Sequence, residues 1–177
     1  MKGRRWLTAA VVLTSSLGWG CGAMAKMMGM GDMMNSMNNM DRVMAMQPQE
    51  MKEHVMATQT AAIERGQALF NDPSAGGGRQ GVSCNSCHVG GGTTGQTARV
   101  ADRDQQFTIP TLVGAAGRFP RYTAPYDAVT TLQQMNNYCN RMFMGGKGFE
   151  LKSPRAWALE AYVASFSNGK TVSVGGN

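Results

Sequence analysis

The chain has 177 residues, 17 of them basic and 11 acidic, for a net charge of +6, and 42% of its residues are hydrophobic. That length suits one domain with appendages rather than two full domains. Three of the basic residues, Lys2, Arg4 and Arg5, fall in a leader that contains no acid, so the rest of the chain carries 14 basic against 11 acidic residues, too mild an excess to indicate nucleic acid as a partner.

Residues 1–25 begin Met-Lys-Gly-Arg-Arg, continue through a mostly apolar run over residues 6–17 and end in the small-residue stretch Gly-Cys-Gly-Ala-Met-Ala. A positive start, a short hydrophobic run and an A-x-A-like site predict a secretory signal peptide, with the mature chain starting near Lys26 and working in the periplasm or at the outer cell surface. The run is too short for an ordinary membrane span. A rival processing site stands at Cys21, which a lipoprotein signal would leave as the lipid-bearing residue. Gly18 occupies the place where such signals usually carry leucine, so the A-x-A-like reading is preferred.

Eleven methionines follow between residues 26 and 56, and Met30, Met33, Met34, Met37, Met40 and Met44 recur at steps of three and four. Residues 26–55 are read as an amphipathic segment or a flexible tether, interrupted by Asn35, Asn38, Asn39 and Pro48, whose methionines contact a partner or a membrane surface. The sharper alternative is a thioether site for Cu(I), a soft ion that methionine suits. The packing reading is preferred because methionine packing is common and no histidine interleaves the pattern.

Residues 56–71 place Ala62, Ile63, Gly66, Leu69 and Phe70 at helical spacing before the stop Asn71-Asp72-Pro73. Next comes Cys84-Asn85-Ser86-Cys87-His88, flanked by glycine-rich stretches at 76–78 and 90–92. A long glycine-rich loop then leads to Pro110-Thr-Leu-Val-Gly114. Beyond residue 130 the stretch Asn137-Tyr-Cys139-Asn-Arg-Met142-Phe-Met144-Gly-Gly146 precedes Ser153-Pro154, an N-cap followed by a first-turn proline. The helix that these open carries Leu159, Tyr162, Val163 and Phe166 on one stripe and stops at Asn168-Gly169. Residues 171–177 are read as a tail.

If Cys21 leaves with the leader, Cys84, Cys87 and Cys139 remain, an odd number for an oxidising compartment. A thioredoxin-like pair would need a strand and helix around it, which the glycine-rich flanks oppose. A zinc site would need four ligands, and no second Cys or His pair exists. Covalent haem attachment accounts for all five residues: Cys84 and Cys87 form thioethers to the porphyrin, and His88 is carried beneath the ring to ligate iron. His54, the only other histidine, is a second-histidine alternative for the opposite iron face.

With these residues the chain resembles the class I cytochrome c fold. Gly66-x-x-x-Phe70 looks like that family's N-terminal helix signature, Leu159-x-x-Tyr162 looks like its C-terminal partner, and the segment at Pro110 looks like its P-x-L-x-G turn. The resemblance implies an all-α domain over residues 56–170, with crossing terminal helices, long Gly-rich loops and one covalent haem c. It also implies that the Pro110 carbonyl orients His88. The block from Asn137 to Gly146 and the following Ser153-Pro154 are similar to the sulfur-oxidising SoxA and thiosulfate dehydrogenase group, with Arg155 where an S-P-E helix start has glutamate. In that group the block's cysteine is the sixth haem ligand, so Cys139 and Met144 compete for that position, with Met142 nearby. Those enzymes usually carry two haems and this chain has one C-x-x-C-H. The expectation is therefore an electron-transfer protein with redox partner proteins, a second cytochrome among the candidates, in a sulfur-oxidation setting. The alternative is the haem subunit of a thiosulfate-oxidising enzyme that uses Cys139.

Overall fold

The computed structural model describes residues 30–99 and 106–176. The expected signal peptide, Cys21, Met27 and Met28 lie outside the described residues. The chain divides into two units, Met1–Met51 and Lys52–Asn177.

In the first unit α1 spans Met30–Met44. Asp32 in its first turn and Arg42 in its last oppose the partial charges of the helix ends. The three asparagines expected to interrupt this segment sit within the helix instead, and no residue of α1 is buried. The Ala45 N–H donates to the Asp41 carbonyl at 3.0 Å and closes the last turn.

The helix α2 covers Pro48–Asn71, starting eight residues before the expected residue 56. Proline is tolerated in the first helical turn, where its missing N–H would have had no partner, so Pro48 opens the helix rather than interrupting it. Burial is confined to Gly66, Leu69 and Phe70 near its end. The stop falls where expected: Asp72 Oδ1 accepts from the Ser74 N–H at 2.8 Å and from the Ser74 hydroxyl at 2.7 Å.

At the other end of this unit α5, over Pro154–Ser165, is capped by Ser153, whose Oγ accepts from the Ala156 N–H at 3.2 Å. It buries Ala156, Ala158, Leu159, Tyr162 and Val163. The helices meet at Gly66, where an added Cβ would overlap the Ala158 carbonyl and lie 2.6 Å from Tyr162 Cβ. Phe70 and Tyr162 stack with ring centroids 5.2 Å apart, and Phe166 meets Tyr162 edge-on at 4.9 Å. Leu132, Met144, Phe149 and Ala75 complete this core. Between the two, α4 spans Leu132–Phe143 and packs against α5. A reciprocal capping box starts α4: Gln134 N–H donates to Thr131 Oγ1 at 3.3 Å, and Thr131 N–H donates to Gln134 Oε1 at 2.8 Å.

The domain is mostly helical, but two antiparallel hairpins depart from the all-α expectation. One pairs β1 (Gln96–Arg99) with β2 (Gln106–Ile109), with Gln96 opposite Ile109. The other pairs β3 (Arg121–Thr123) with β4 (Ala128–Thr130), with Arg121 opposite Thr130. Thr97, Thr108, Ile109, Tyr122, Val129 and Thr130 are residues that favour extended backbone, and the buried hydroxyls of Thr123 and Thr130 hydrogen-bond at 2.7 Å. Residues 171–176, expected as a tail, are tied back: the Ser173 N–H donates to Gly117 O at 2.8 Å and the Gly175 N–H to Arg118 O at 3.1 Å. Among the described residues no helix is long and apolar enough to cross a membrane.

Candidate cofactor site

Cys84 to Cys87 form a single helical turn, α3. Its polar residues each hold a neighbour. Ser86 Oγ accepts from the Ser83 N–H at 3.0 Å, while Asn85 Oδ1 accepts from the Gly91 N–H at 2.9 Å and so fixes the glycine turn after His88. The Gln96 amide reaches back from β1 to the Ser86 carbonyl at 2.8 Å. The two residues between the cysteines are thus brackets for the loop, and the turn leaves both thiols free.

The described part of the long loop after His88 forms the β1–β2 hairpin. The chain leaves along β1 and returns along β2, which delivers Pro110 beside the histidine. His88 Nδ1 lies 3.0 Å from the Pro110 carbonyl oxygen, which can only accept, so Nδ1 carries the proton and Nε2 keeps its lone pair. Burial lowers the His88 pKa, opposed in part by the Pro110 carbonyl, so the ring is neutral at pH 7. The junction is stitched by Leu112 N–H donating to Gly92 O at 2.8 Å and Thr111 Oγ1 donating to Thr93 O at 2.8 Å. Tyr162 Oη donates to the Gly91 carbonyl at 2.8 Å and ties this loop to α5.

The second wall comes from α4 and the loop after it. Met144 caps α4 and is almost fully buried. Its sulfur lies 4.0 Å from Cys84 Sγ and 3.5 Å from Asn140 Nδ2, and its carbonyl accepts from the Arg79 and Gln80 amides at 2.8 and 3.2 Å. Met142, two residues earlier, is 61% exposed. Burial pushes the Cys139 thiol up to about 11, with the charge of a neighbouring Cys87 adding to it. Cys84 is pushed up to about 12 by burial and then by Cys139 and Cys87. Cys84 and Cys139 therefore share one poorly hydrated region, and their thiols are protonated there at neutral pH.

Two residues that sequence reasoning passed over hold this wall in place. Asn140 donates to the Ala75 carbonyl at 2.7 Å and accepts from the Gly148 N–H at 2.8 Å. Asn137 donates to the Phe149 carbonyl at 2.8 Å and accepts from the Phe149 N–H at 2.7 Å. Both are buried, and together they clamp loop 145–149 against α4 and the turn at Gly76. That turn needs glycine: φ is +62° there, and a Cβ would lie 2.7 Å from Asn140 Nδ2. The signal was present, since asparagine is a weak helix former and two of them three apart inside a helix ask for partners elsewhere.

The site thus assembles Cys84, Cys87, His88, Pro110, Cys139 and Met144. His54 is not part of it; it lies near the start of α2, about 18 Å along the helix axis from Gly66. The arrangement fits a covalent haem: two free thiols one helical turn apart, a neutral imidazole with its outer nitrogen already engaged, and further sulfur donors beside the two thiols. Two buried donors also lack a partner among the described residues, Arg121 Nε and Asn136 Nδ2, and the carboxylates of a haem are acceptors of the kind that they lack.

Comparison with known proteins gives a family match over residues 65–172, to the SoxA/TsdA cytochrome c domain. A thiosulfate dehydrogenase from Allochromatium vinosum is 31% identical over 93 residues, 52% of this chain and 31% of the relative. The L-cysteine S-thiosulfotransferase subunit SoxA of Rhodovulum sulfidophilum is 28% identical over 112 residues, 63% of this chain and 32% of the relative. The chain spans about a third of the length of the curated relatives it matches.

Proposed function

The chain belongs to the SoxA/TsdA cytochrome c domain family, whose members bind haem c covalently, and from that premise we propose that it is an exported, single-haem electron carrier serving the oxidation of sulfur compounds. The observation that carries this reading is the 3.0 Å approach of His88 Nδ1 to the Pro110 carbonyl beside the Cys84-x-x-Cys87-His88 turn. It holds an imidazole in the tautomer and orientation of a fixed axial ligand. The close approach at Gly66, with Phe70 and Tyr162 stacked around it, supports the class I arrangement of terminal helices.

Cys84 and Cys87 would hold the porphyrin through thioethers, and His88 and Met144 would ligate its iron. When bound, a haem c alternates between ferric and ferrous iron and so carries one electron. The protein's part is positional. The Asn140 clamp and the Arg79 and Gln80 amides hold Met144 rigid, and rigid ligands reduce the rearrangement that accompanies a change of charge. A thioether needs no deprotonation to ligate iron, and Met144 is almost fully buried.

A second reading places sulfur chemistry at Cys139, as part of a thiosulfate-oxidising enzyme. Its buried thiol, close enough to Cys84 and Cys87 to be felt electrostatically, favours it. The two readings separate in one experiment on protein matured with covalent haem. An electron carrier accepts and returns one electron per chain and consumes no thiosulfate, with the Cys139→Ala variant behaving alike. Steady thiosulfate turnover that is lost in Cys139→Ala establishes the enzyme.

A further inference from the structure

The six methionines of α1 fall on one face. At 3.6 residues per turn, Met30, Met33, Met34, Met37, Met40 and Met44 occupy an arc of about 120°, and each is 51–74% exposed. Three kinds of occupant compete for such a face. A protein interface is anchored most often by tryptophan, tyrosine or arginine, and within this arc the apolar residues are methionines alone. A membrane surface calls for a lysine- and arginine-rich opposite face, and Arg42 is the single cation of α1. Asp41, exposed, projects within the methionine arc itself, where a carboxylate opposes both kinds of apolar burial and favours a cation.

We propose that α1 is a binding site for Cu(I), a soft cation held by thioether sulfurs. Side chains three and four residues apart on a helix are neighbours, with Cβ atoms about 5–6 Å apart. Met30, Met33, Met34 and Met37 form one such set, and Met37, Met40 and Met44 form a second with Asp41 beside it. The unbranched methionine chain has the rotational freedom to turn three sulfurs onto one ion. Thioether is the soft ligand that selects Cu(I) over the harder divalent ions, and unlike thiolate it forms no disulfides. The site uses no residue of the cofactor region, so the proposal stands or falls independently of the haem reading.

The test uses the full-length, haem-loaded protein carrying Cys139→Ser, which removes the free thiol as a rival ligand. Cu(I), kept reduced with ascorbate, is titrated in competition with bicinchoninate, with Ag(I) as a redox-inert check. This parent is expected to withdraw at least one Cu(I) per chain. Replacing all six methionines by leucine preserves helix propensity and apolar area, and should weaken binding by roughly tenfold or more while helical circular dichroism and the haem spectrum stay unchanged. Asp41→Asn should weaken it less. Affinity should hold constant from about pH 5 to about pH 8, because thioethers do not titrate, whereas histidine ligands would fail at the acidic end. A parent that takes no Cu(I) from the chelator, or a leucine variant that binds it as well as the parent, overturns the proposal. Loss of binding at acidic pH assigns the ion to other ligands and overturns it equally.

Discussion

His88 and Pro110 are separated by 22 positions in sequence and joined by a 3.0 Å hydrogen bond, with the β1–β2 hairpin as the connection. The bond depends on the hairpin's closing register, in which Gly95 passes close to the returning strand. A Cβ on Gly95 would lie 2.7 Å from the Ile109 carbonyl and 3.1 Å from the Thr111 nitrogen, both backbone atoms with little room to give. Gly95→Ala should therefore shift Pro110 and weaken the bond. Less electron density would reach the ring, so the reduction potential of the haem-loaded protein should rise, by no more than the net worth of one hydrogen bond, about 1 kcal/mol. Spectroelectrochemical titration checks this; an unchanged or lowered potential counts against the orienting role of Pro110.

The contact at Gly66 sets the cost of any side chain there. Ala158 and Tyr162 offer backbone and Cβ atoms rather than flexible tips, so Gly66→Ala must push α2 and α5 apart. Overpacking of this kind costs about 1–3 kcal/mol, although alanine is the better helix former. Urea unfolding of the haem-loaded variant should show a lower midpoint.

Asn140→Ala would remove one of two hydrogen bonds from each of the Ala75 carbonyl and the Gly148 N–H, which keep the Gly78 N–H and the Gly76 carbonyl as partners. A loss of about 2 kcal/mol is expected from the two side-chain hydrogen bonds. Met142→Ala, at an exposed position of the same segment, should stay within about 0.5 kcal/mol of the parent. Equal losses in the two variants would remove the clamp from the argument.

The haem-free chain should lose stability in alkali. Its folded state holds the Cys84 and Cys139 protons to about 12 and about 11, whereas an unfolded thiol titrates near about 8.5. A group whose pKa is raised by folding contributes its full stability below the unfolded value and loses it as pH rises through the folded one. The urea midpoint of haem-free protein should therefore be insensitive to these thiols up to about pH 8 and fall steadily above about pH 9. Cys139→Ala should flatten the decline. Haem-loaded protein, in which the Cys84 sulfur would be a thioether, should show less of it.

Most of the helical frame was legible because helix signals are local. The stops at Asn71-Asp72-Pro73 and the cap at Ser153-Pro154 fall where the side chains put them, and the stripe from Leu159 to Val163 is buried as its spacing implies. The start of α2 was misplaced because Pro48 was read as an interruption, when a proline in a first helical turn is equally a beginning. The hairpins were missed because each strand is three or four residues long, too short for alternation to stand out among glycines. At the site, the five-residue Cys84 to His88 motif could be read directly, and Pro110 through its resemblance to the P-x-L-x-G turn. The asparagine clamp was legible only as two asparagines inside one helix, since its partners are backbone groups of loops whose paths depend on tertiary folding.

The identity of the second axial ligand tests the haem reading most directly. Low-temperature electron paramagnetic resonance of the ferric, haem-loaded protein should be recorded alongside Cys139→Ala and Met144→Ala, together with the near-infrared charge-transfer bands that distinguish thioether from thiolate. Expected is a low-spin histidine–methionine signature that survives in Cys139→Ala and gives way to an altered or high-spin species in Met144→Ala. A thiolate signature that vanishes in Cys139→Ala and persists in Met144→Ala contradicts the electron-carrier assignment and places the chemistry at Cys139.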